Sequence, residues 1–533
     1  MRNLILLLLL YSAPSPAAAA PAPLLPAGLV IASIKIESHN VFHTEAPPEN
    51  KLIYRAANDI HVRTRDPVIM RELLFEVGDD YDPLLIEETE RNLRALPFIR
   101  RAEITATVND LGTVDVVVRT YDSWTLEVVA SFKRGGGSTN IKTGIAEHNI
   151  MGEGKAGSAV FSRDGTAQTK SFGYQDVQFL HYKRLQYSAT AVATPVSKHY
   201  STGLIRPFYA SIAPSAYGAT LDYVKGTVAT YDAGGLAAGA VAKTTTEAEL
   251  SYGVAFATST ERTRRIKFGV LEHHANFEPI PGQGTGPMPN REQLGFLKVG
   301  AELEELDFLT VRRIQKFTHD EDYNLGLGVF PTIAWAPAVH ALGTTGAQFA
   351  PAIVVKKGFT WSDQLLLLNS GYSSRYVNGG NTNRLASFNA SYFVRGLKYQ
   401  TFAFHSGLDL GWHLDPDAPL VLGDINGLRG YGLSQFTGNR RFLFNIEDRI
   451  FVWDELLRVI DVGTVAFYDS GYVWPASSSI KLGDLKNSMG LGLRLAPSRS
   501  SGNDPVRIDL AYALSSNQSR SRFSLSIQAG QAF

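Results

Sequence analysis

Few residues in this 533-residue chain have types and spacings suited to bond-making chemistry. There is no Cys, which excludes a thiol nucleophile, a thiolate metal site and a disulfide framework. No Gly-x-Ser-x-Gly or His-Glu-x-x-His pattern occurs, and no Ser, His and acidic residues stand at a spacing that compels a triad. Glu272-His273-His274 offers metal-ligand types, but neighbours on a strand point to opposite faces, so these are expected as loop or interface residues. Gly282, Gly284 and Gly286 have the wrong spacing for a phosphate loop, and no helix follows them. No catalytic residue, metal or cofactor is therefore expected. What is left is charge in apolar company: Arg429 within Leu428-Arg429-Gly430-Tyr431, and Asp469 within Phe467-Tyr468-Asp469-Ser470-Gly471.

The elements that must position these two groups are strands and a loop. Residues 422–451 begin without a regular period, turn at Gly438-Asn439 and alternate from Arg441 to Phe451. Phe442, Phe444, Ile446 and Ile450 fall on one face, while Arg441, Asn445, Glu447 and Arg449 fall on the other. In a soluble sheet the charged face would meet bulk water; in a membrane barrel it meets the lumen and the greasy face meets lipid. Asp448, on the greasy side, must then sit near a water interface. In 465–474, Phe467, Asp469 and Gly471 share one face and Tyr468, Tyr472 and Trp474 the other, the pattern of a lumenal Asp opposite an aromatic girdle. Residues 489–495 and 506–513 form another pair, with Arg494, Arg507 and Asp509 expected in the lumen. In 522–533, Phe523, Leu525, Ile527, Ala529, Gln531 and Phe533 fall on one face.

Taken together, the two charged motifs resemble the barrel of the BamA/TamA superfamily of outer-membrane assembly factors. There, a long extracellular loop folds back into the barrel, and the Arg of a Val-Arg-Gly-Phe/Tyr motif pairs with the Asp of a Phe-x-Asp-x-Gly strand. The resemblance implies that Arg429 meets Asp469, with Leu428 in place of Val. A planar guanidinium suits that role because it grips a carboxylate through two parallel hydrogen bonds, which Lys cannot copy. The terminal Phe523, Leu525, Ile527 and Phe533 resemble the C-terminal signal by which such barrels are recognised for insertion, with Gln531 as a departure from the usual apolar residue.

The bulk numbers agree with a barrel. The 51 basic residues balance the 51 acidic ones, giving no electrostatic reason to expect nucleic acid. Mean hydropathy is −0.06, too low for a bundle of membrane helices, whereas a barrel hides its membrane signal in alternation. The run 325–355 carries His340 as its only potentially charged side chain, but Pro331, Pro337 and Pro351 argue for strands and turns over a helix. Residues 1–20, with Arg2, the apolar run Leu4 to Leu10 and small residues at 17–20, read as a secretory signal peptide.

Residues 29–120 read as a small α+β domain of order β-α-α-β-β: a strand at 31–37, a long connection through Pro47-Pro48, helices opened by Asp66-Pro67 and Asp82-Pro83, and strands at 102–109 and 113–120. That order, with Gly78-Asp79 before the second helix and Leu96-Pro97-Phe98 after it, resembles a POTRA domain, the periplasmic module of the same superfamily. From 122 to 533 the alternating texture persists. At about 10 residues per spanning strand and about 15 per connection, it makes roughly sixteen strands, with 125–133 meeting 523–533 to close the sheet.

The resemblance implies a bacterial outer-membrane protein, embedded in the lipid bilayer, that inserts or translocates unfolded polypeptide clients. Its POTRA-like domain would lie in the periplasm and receive the client on a sheet edge, together with periplasmic or lipoprotein accessory factors. A weak first-to-last seam would open sideways and template client strands. A two-partner secretion transporter, a passive pore or structural barrel, and an outer-membrane hydrolase are the alternatives.

Overall fold

The computed structural model describes residues 28–533 apart from 136–137, 165–166, 233–236, 283–287, 340–346, 378, 502–503, 516–521 and 532. The expected signal peptide, 1–20, lies outside the described residues.

The N-terminal unit is β1 (Ile31–His39), α1 (Leu52–Ile60), α2 (Asp66–Glu72), α3 (Pro83–Arg94), β2 (Ile99–Val108) and β3 (Val114–Asp122). Its sheet runs β1-β3-β2, with β3 parallel to β1 and antiparallel to β2. The order follows from burial. β3 alternates strictly, with Val114, Val116 and Val118 wholly buried, so it takes the centre. Val68, Ile69, Ile86 and Leu93 of α2 and α3 pack on it with Phe75 and Phe98. Asp82 caps α3, its carboxylate accepting from the Leu84 N–H at 2.9 Å, and Pro83 opens the helix. One element was not expected: α1 lies in what reads as a bare connection. A nine-residue helix that buries no side chain leaves no core-facing signature.

From β4 (Leu126–Gly135) onward, twenty strands among the described residues form one antiparallel sheet closed into a barrel, instead of about sixteen. The estimate fails because many connections are far shorter than assumed. Trp361 pairs with Gln364, Val377 with Gly380 and Leu397 with Gln400, each across a two-residue turn. β4 leaves the N-terminal domain, so successive turns alternate between the domain end and the far end. Along each strand, apolar side chains such as Leu491 and Leu510 point outward and are exposed, while Arg494 and Asp509 point inward and are buried. The proline-containing run forms strands Gly328–Ala336 and Gln348–Trp361. His273 and His274 lie inside strand Arg262–Pro279, not in a loop, and face opposite ways: His273 sits against Glu247 and Glu292, His274 against Glu272. Asp448 faces outward as its position requires, accepting from Gln400 Nε2 at 2.7 Å beside the domain-end turn at 398–399. Trp474 is buried, its indole N–H on Asp484, and so leaves the expected aromatic girdle.

The last strand is Phe523–Ala529 and stops short of the expected 533. Gly530 takes φ +85°, a left-handed conformation that turns the chain inward. Phe533 therefore leaves the lipid-facing row of Phe523, Leu525 and Ile527 and packs in the lumen, its ring 5.4 Å from that of His405.

Candidate functional site

Two inserts fill the lumen, one from each end. At the far end, 413–439 connects strands Gln400–Trp412 and Arg440–Leu456 and folds into the barrel. It is shaped by a short ladder from Leu420 opposite Gly438 to Leu422 opposite Phe436, and by a 3-10 turn at Asp424–Asn426. Gly427 and Gly430 follow with φ of +98° and +88°. Gly430 lies so close to the wall that a Cβ would stand 3.3 Å from the Ala513 nitrogen. Leu428 and Tyr431 pack with Leu422, Val473 and Ala513, and the Tyr431 hydroxyl donates to the Asn487 carbonyl at 2.8 Å.

The structure places Arg429 directly on Asp469. Nε donates to Oδ2 at 2.8 Å and Nη2 to Oδ1 at 2.7 Å, a two-pronged grip, and the Arg429 backbone N–H adds a third bond at 3.2 Å. Asn445 donates to the same carboxylate at 2.7 Å and to the Gly427 carbonyl at 2.7 Å, tying the loop to the wall. The Phe467 ring lies beneath the guanidinium, its centroid 3.5 Å from Cζ, so its negative face helps replace lost water. The remaining motif residue, Gly471, provides space: a Cβ there would meet the Phe442 carbonyl at 2.7 Å and Leu422 at 3.0 Å.

Sequence reasoning placed Glu447, Arg449, Arg494, Arg507 and Asp509 in the lumen without joining them to Arg429. Glu447 accepts from Arg429 Nη1 at 2.7 Å through one oxygen and from Arg449 Nε at 2.8 Å through the other. Arg494 donates to Asp509 at 2.6 Å, and Asp509 lies 3.6 Å from Arg429. These side chains are buried in the lumen. Burying an ion is expensive unless its bonding capacity is met, and here each charge finds opposite charge within reach. The network also needs Gly490, whose absent side chain makes room for Phe467. No periodicity could reveal that partnership, since its members come from four separate strands and a loop.

The second insert enters at the domain end. Between strands Glu292–Glu305 and Gly328–Ala336, a hairpin of Phe308–Val311 and Glu321–Asn324 carries the tip 312–320 across the mouth. Glu321 stiffens the tip, accepting from the N–H groups of Ile314, Gln315 and Lys316 at 2.9, 2.8 and 3.2 Å. Ile314 and Phe317 are buried; the Phe317 ring meets Phe451 edge-on at 4.8 Å and fills the space left by Gly463. Arg449 donates to the Ile314 carbonyl, and Gln315 Nε2 donates to the Phe533 carbonyl at 3.0 Å. Beside the far-end loop a polar cavity of about 370 Å³ persists, lined by residues including His405, Asp409, Arg441, Asn445 and Phe533.

The N-terminal helices sit on the domain-end turns. Arg94 of α3 holds Asp322 of the hairpin at 3.0 Å, and Arg91 lies over the Phe308 ring at 4.3 Å. Glu88 accepts from the N–H and hydroxyl of Ser211 at 2.6 Å each; Glu72 is paired with Arg184. On the opposite side Arg499 reaches Glu49 at 2.9 Å. Arg100 is half-buried near Arg499, and loss of water around it together with that like charge lowers its pKa to about 10.

The wall itself is uneven. β4 and Phe523–Ala529 pair only from Leu525 opposite Arg134 to Ile527 opposite Phe132 among the described residues, supplemented by Ser131 Oγ donating to the Ile527 carbonyl at 2.8 Å. Leu126 to Ser131 pair with the next strand on one side, while their other edge has no ladder partner among the described residues.

No family model matches the chain, and no curated protein matches it. Solved structures similar to it include BamA from Haemophilus ducreyi lacking POTRA domains 1-3, at 12% identity and TM-score 0.39, covering 94% of this chain and 85% of that one. CdiB from Acinetobacter baumannii is similar at 11% identity and TM-score 0.46, covering 95% and 74%. CdiB from Escherichia coli is similar at 11% identity and TM-score 0.44, covering 97% and 93%.

Proposed function

We propose that this chain is an outer-membrane protein that inserts or translocates other polypeptides, templating client strands at the junction of its first and last barrel strands. The observation that carries the reading is the three-residue ladder at that junction, beside the edge of Leu126 to Ser131 that has no ladder partner among the described residues. In lipid, a stranded backbone N–H or C=O costs several kcal/mol, so such an edge favours any extended segment able to pair with it. A client hairpin has the matching need. The motifs around Arg429 and Asp469 add support by their resemblance to assembly-factor barrels.

On this reading residues 29–120 are a POTRA-like periplasmic domain, and the outer edge of β2 or β1 receives the client by backbone pairing. Arg429 and Asp469 anchor the inward loop, with Leu428, Gly430, Tyr431, Phe467 and Gly471 shaping its seat. A passive pore fits less well, because inserts occupy the lumen from both ends. A lumenal route, as in two-partner secretion, requires both inserts to leave.

The test is a disulfide across the junction, in a chain with no native Cys. Lys133→Cys with Ser526→Cys places the pair on directly opposed residues. In proteoliposomes, the oxidised variant should lose insertion of an unfolded outer-membrane barrel protein, scored by protease protection, and regain it on reduction. Unchanged insertion with the bridge formed would sink the templating mechanism.

A further inference from the structure

Helix α1 is built inside out. Its sequence, LIYRAANDI, puts Leu52, Ile53, Ala56 and Ile60 on one arc at 100° per residue, and Tyr54 and Asn58 on the opposite one. An ordinary surface helix turns the apolar arc inward. Here the polar arc is the one that docks: Asn58 donates to the Phe42 carbonyl at 2.8 Å and accepts from the Phe42 N–H at 3.1 Å. The Tyr54 ring lies 5.0 Å from that of Phe42, and its hydroxyl donates to the Leu457 carbonyl at 3.0 Å. The apolar arc faces away from the protein, with Leu52 78%, Ile53 70% and Ile60 71% exposed.

The patch has a neighbour of the same character. Leu457, 75% exposed, forms part of the turn after strand Arg440–Leu456, and the outward side chains Ile450, Val452, Trp453 and Leu456 lead from the barrel wall down to it. The Tyr54 bond to Leu457 sets α1 beside this turn, so its exposed apolar arc and the apolar wall that ends at Trp453 and Leu456 neighbour each other at the domain end. Trp is a residue of the membrane–water boundary, where an apolar arc of this kind also belongs. A protein partner would not need continuity with the wall; a bilayer surface does.

We propose that α1 is an interfacial helix that lays Leu52, Ile53 and Ile60 into the phospholipid surface on the domain side, pinning the N-terminal domain to the membrane as well as to the barrel rim. The proposal rests on the barrel spanning a bilayer and is independent of any insertion activity.

The absence of native Cys allows single nitroxide labels in the full chain, reconstituted in phospholipid vesicles. Ile53→Cys and Ile60→Cys test the arc. Leu491→Cys on the outward wall is the lipid reference, and Leu111→Cys, in the exposed β2–β3 turn, is the water reference. The expected result is several-fold lower collision with a water-soluble nickel chelate, and higher collision with oxygen, at 53 and 60 than at 111. Nickel access at 53 and 60 equal to that at 111 would overturn the proposal, and so would shielding from both reagents, which would mark a protein occupant. If 491 itself reads as water-exposed, the spanning barrel fails and takes this inference with it.

Discussion

Strands Ser215–Tyr231 and Ala237–Thr258 pair along the whole 17 residues of the first. The strands that close the barrel pair over three residues, Leu525 to Ile527, among those described. The terminal strand is held on its other side, by seven opposed pairs with strand Val506–Ala513, where Arg507 also donates to Gln528 at 2.8 Å, and Arg494 donates to Gln531 beyond it at 3.2 Å. One pair of strands is joined along its whole length, the closing pair by three opposed residues and one side-chain bond among the described residues. A net backbone hydrogen bond contributes about 0.5–1.5 kcal/mol, so parting the closing strands costs on the order of a few kcal/mol where the long ladder would cost many times that. The difference teaches where the closure of this barrel is thinnest.

The largest expected effect breaks or keeps that asymmetry directly. A disulfide between Thr220→Cys and Glu249→Cys, opposed on the long ladder, should leave insertion unchanged, while the bridge at 133 and 526 abolishes it. Equal effects from the two bridges would erase the distinction. Next in size, Asp469→Ala strands the buried Arg429, a loss of about 3–5 kcal/mol for a pair of this kind. It should lower the unfolding temperature in detergent and loosen the loop; normal heat stability would show that the lumenal network does not support the yielding side.

A smaller effect is expected at Arg94→Ala, which frees Asp322 from α3 and contributes about 1 kcal/mol for a part-buried pair. It should speed protease cleavage within 312–320, and cleavage at the parent rate would mean the hairpin is held by the barrel alone.

The smallest concerns pH. Burial holds the His319 imidazole down at about 3, with Lys316, Arg100 and Arg312 opposing its charge and Asp320 favouring it. Its unfolded value is about 6.5, so the hairpin's seat is unaffected above that and weakens progressively as pH falls from 6.5 towards 3. Glu321 pulls the other way, because burial raises its carboxyl. The acid-induced rise in bilayer conductance of the parent should therefore exceed that of His319→Gln, and identical curves would clear His319 of any part.

Much of the wall was legible because strand alternation repeats the same decision at every second residue, as in 441–451 and 489–495. The closing ladder was not, because its extent depends on how Gly530 turns the chain away, which only a single glycine betrays. Asp469 and Arg429 stood out as charges among apolar neighbours. The hairpin at 306–327 did not: Ile314 and Phe317 lie in a stretch as polar as any exposed loop, and their burial comes from strands far away in sequence. α1 escaped for the opposite reason, its apolar arc having no core to announce.

The carboxylate of Glu447 serves two masters, one oxygen on the far-end loop through Arg429 and one on the hairpin's clasp through Arg449. Glu447 and Arg449 both belong to the wall strand, so withdrawal of the loop takes Arg429 from the anion, whereas withdrawal of the hairpin takes only the Ile314 carbonyl from Arg449 and leaves Glu447 that counter-ion. The two plugs are therefore fastened unequally to one pair of side chains, the loop by an ion and the hairpin by a neutral carbonyl, and the loop is the one whose loss exposes a buried charge.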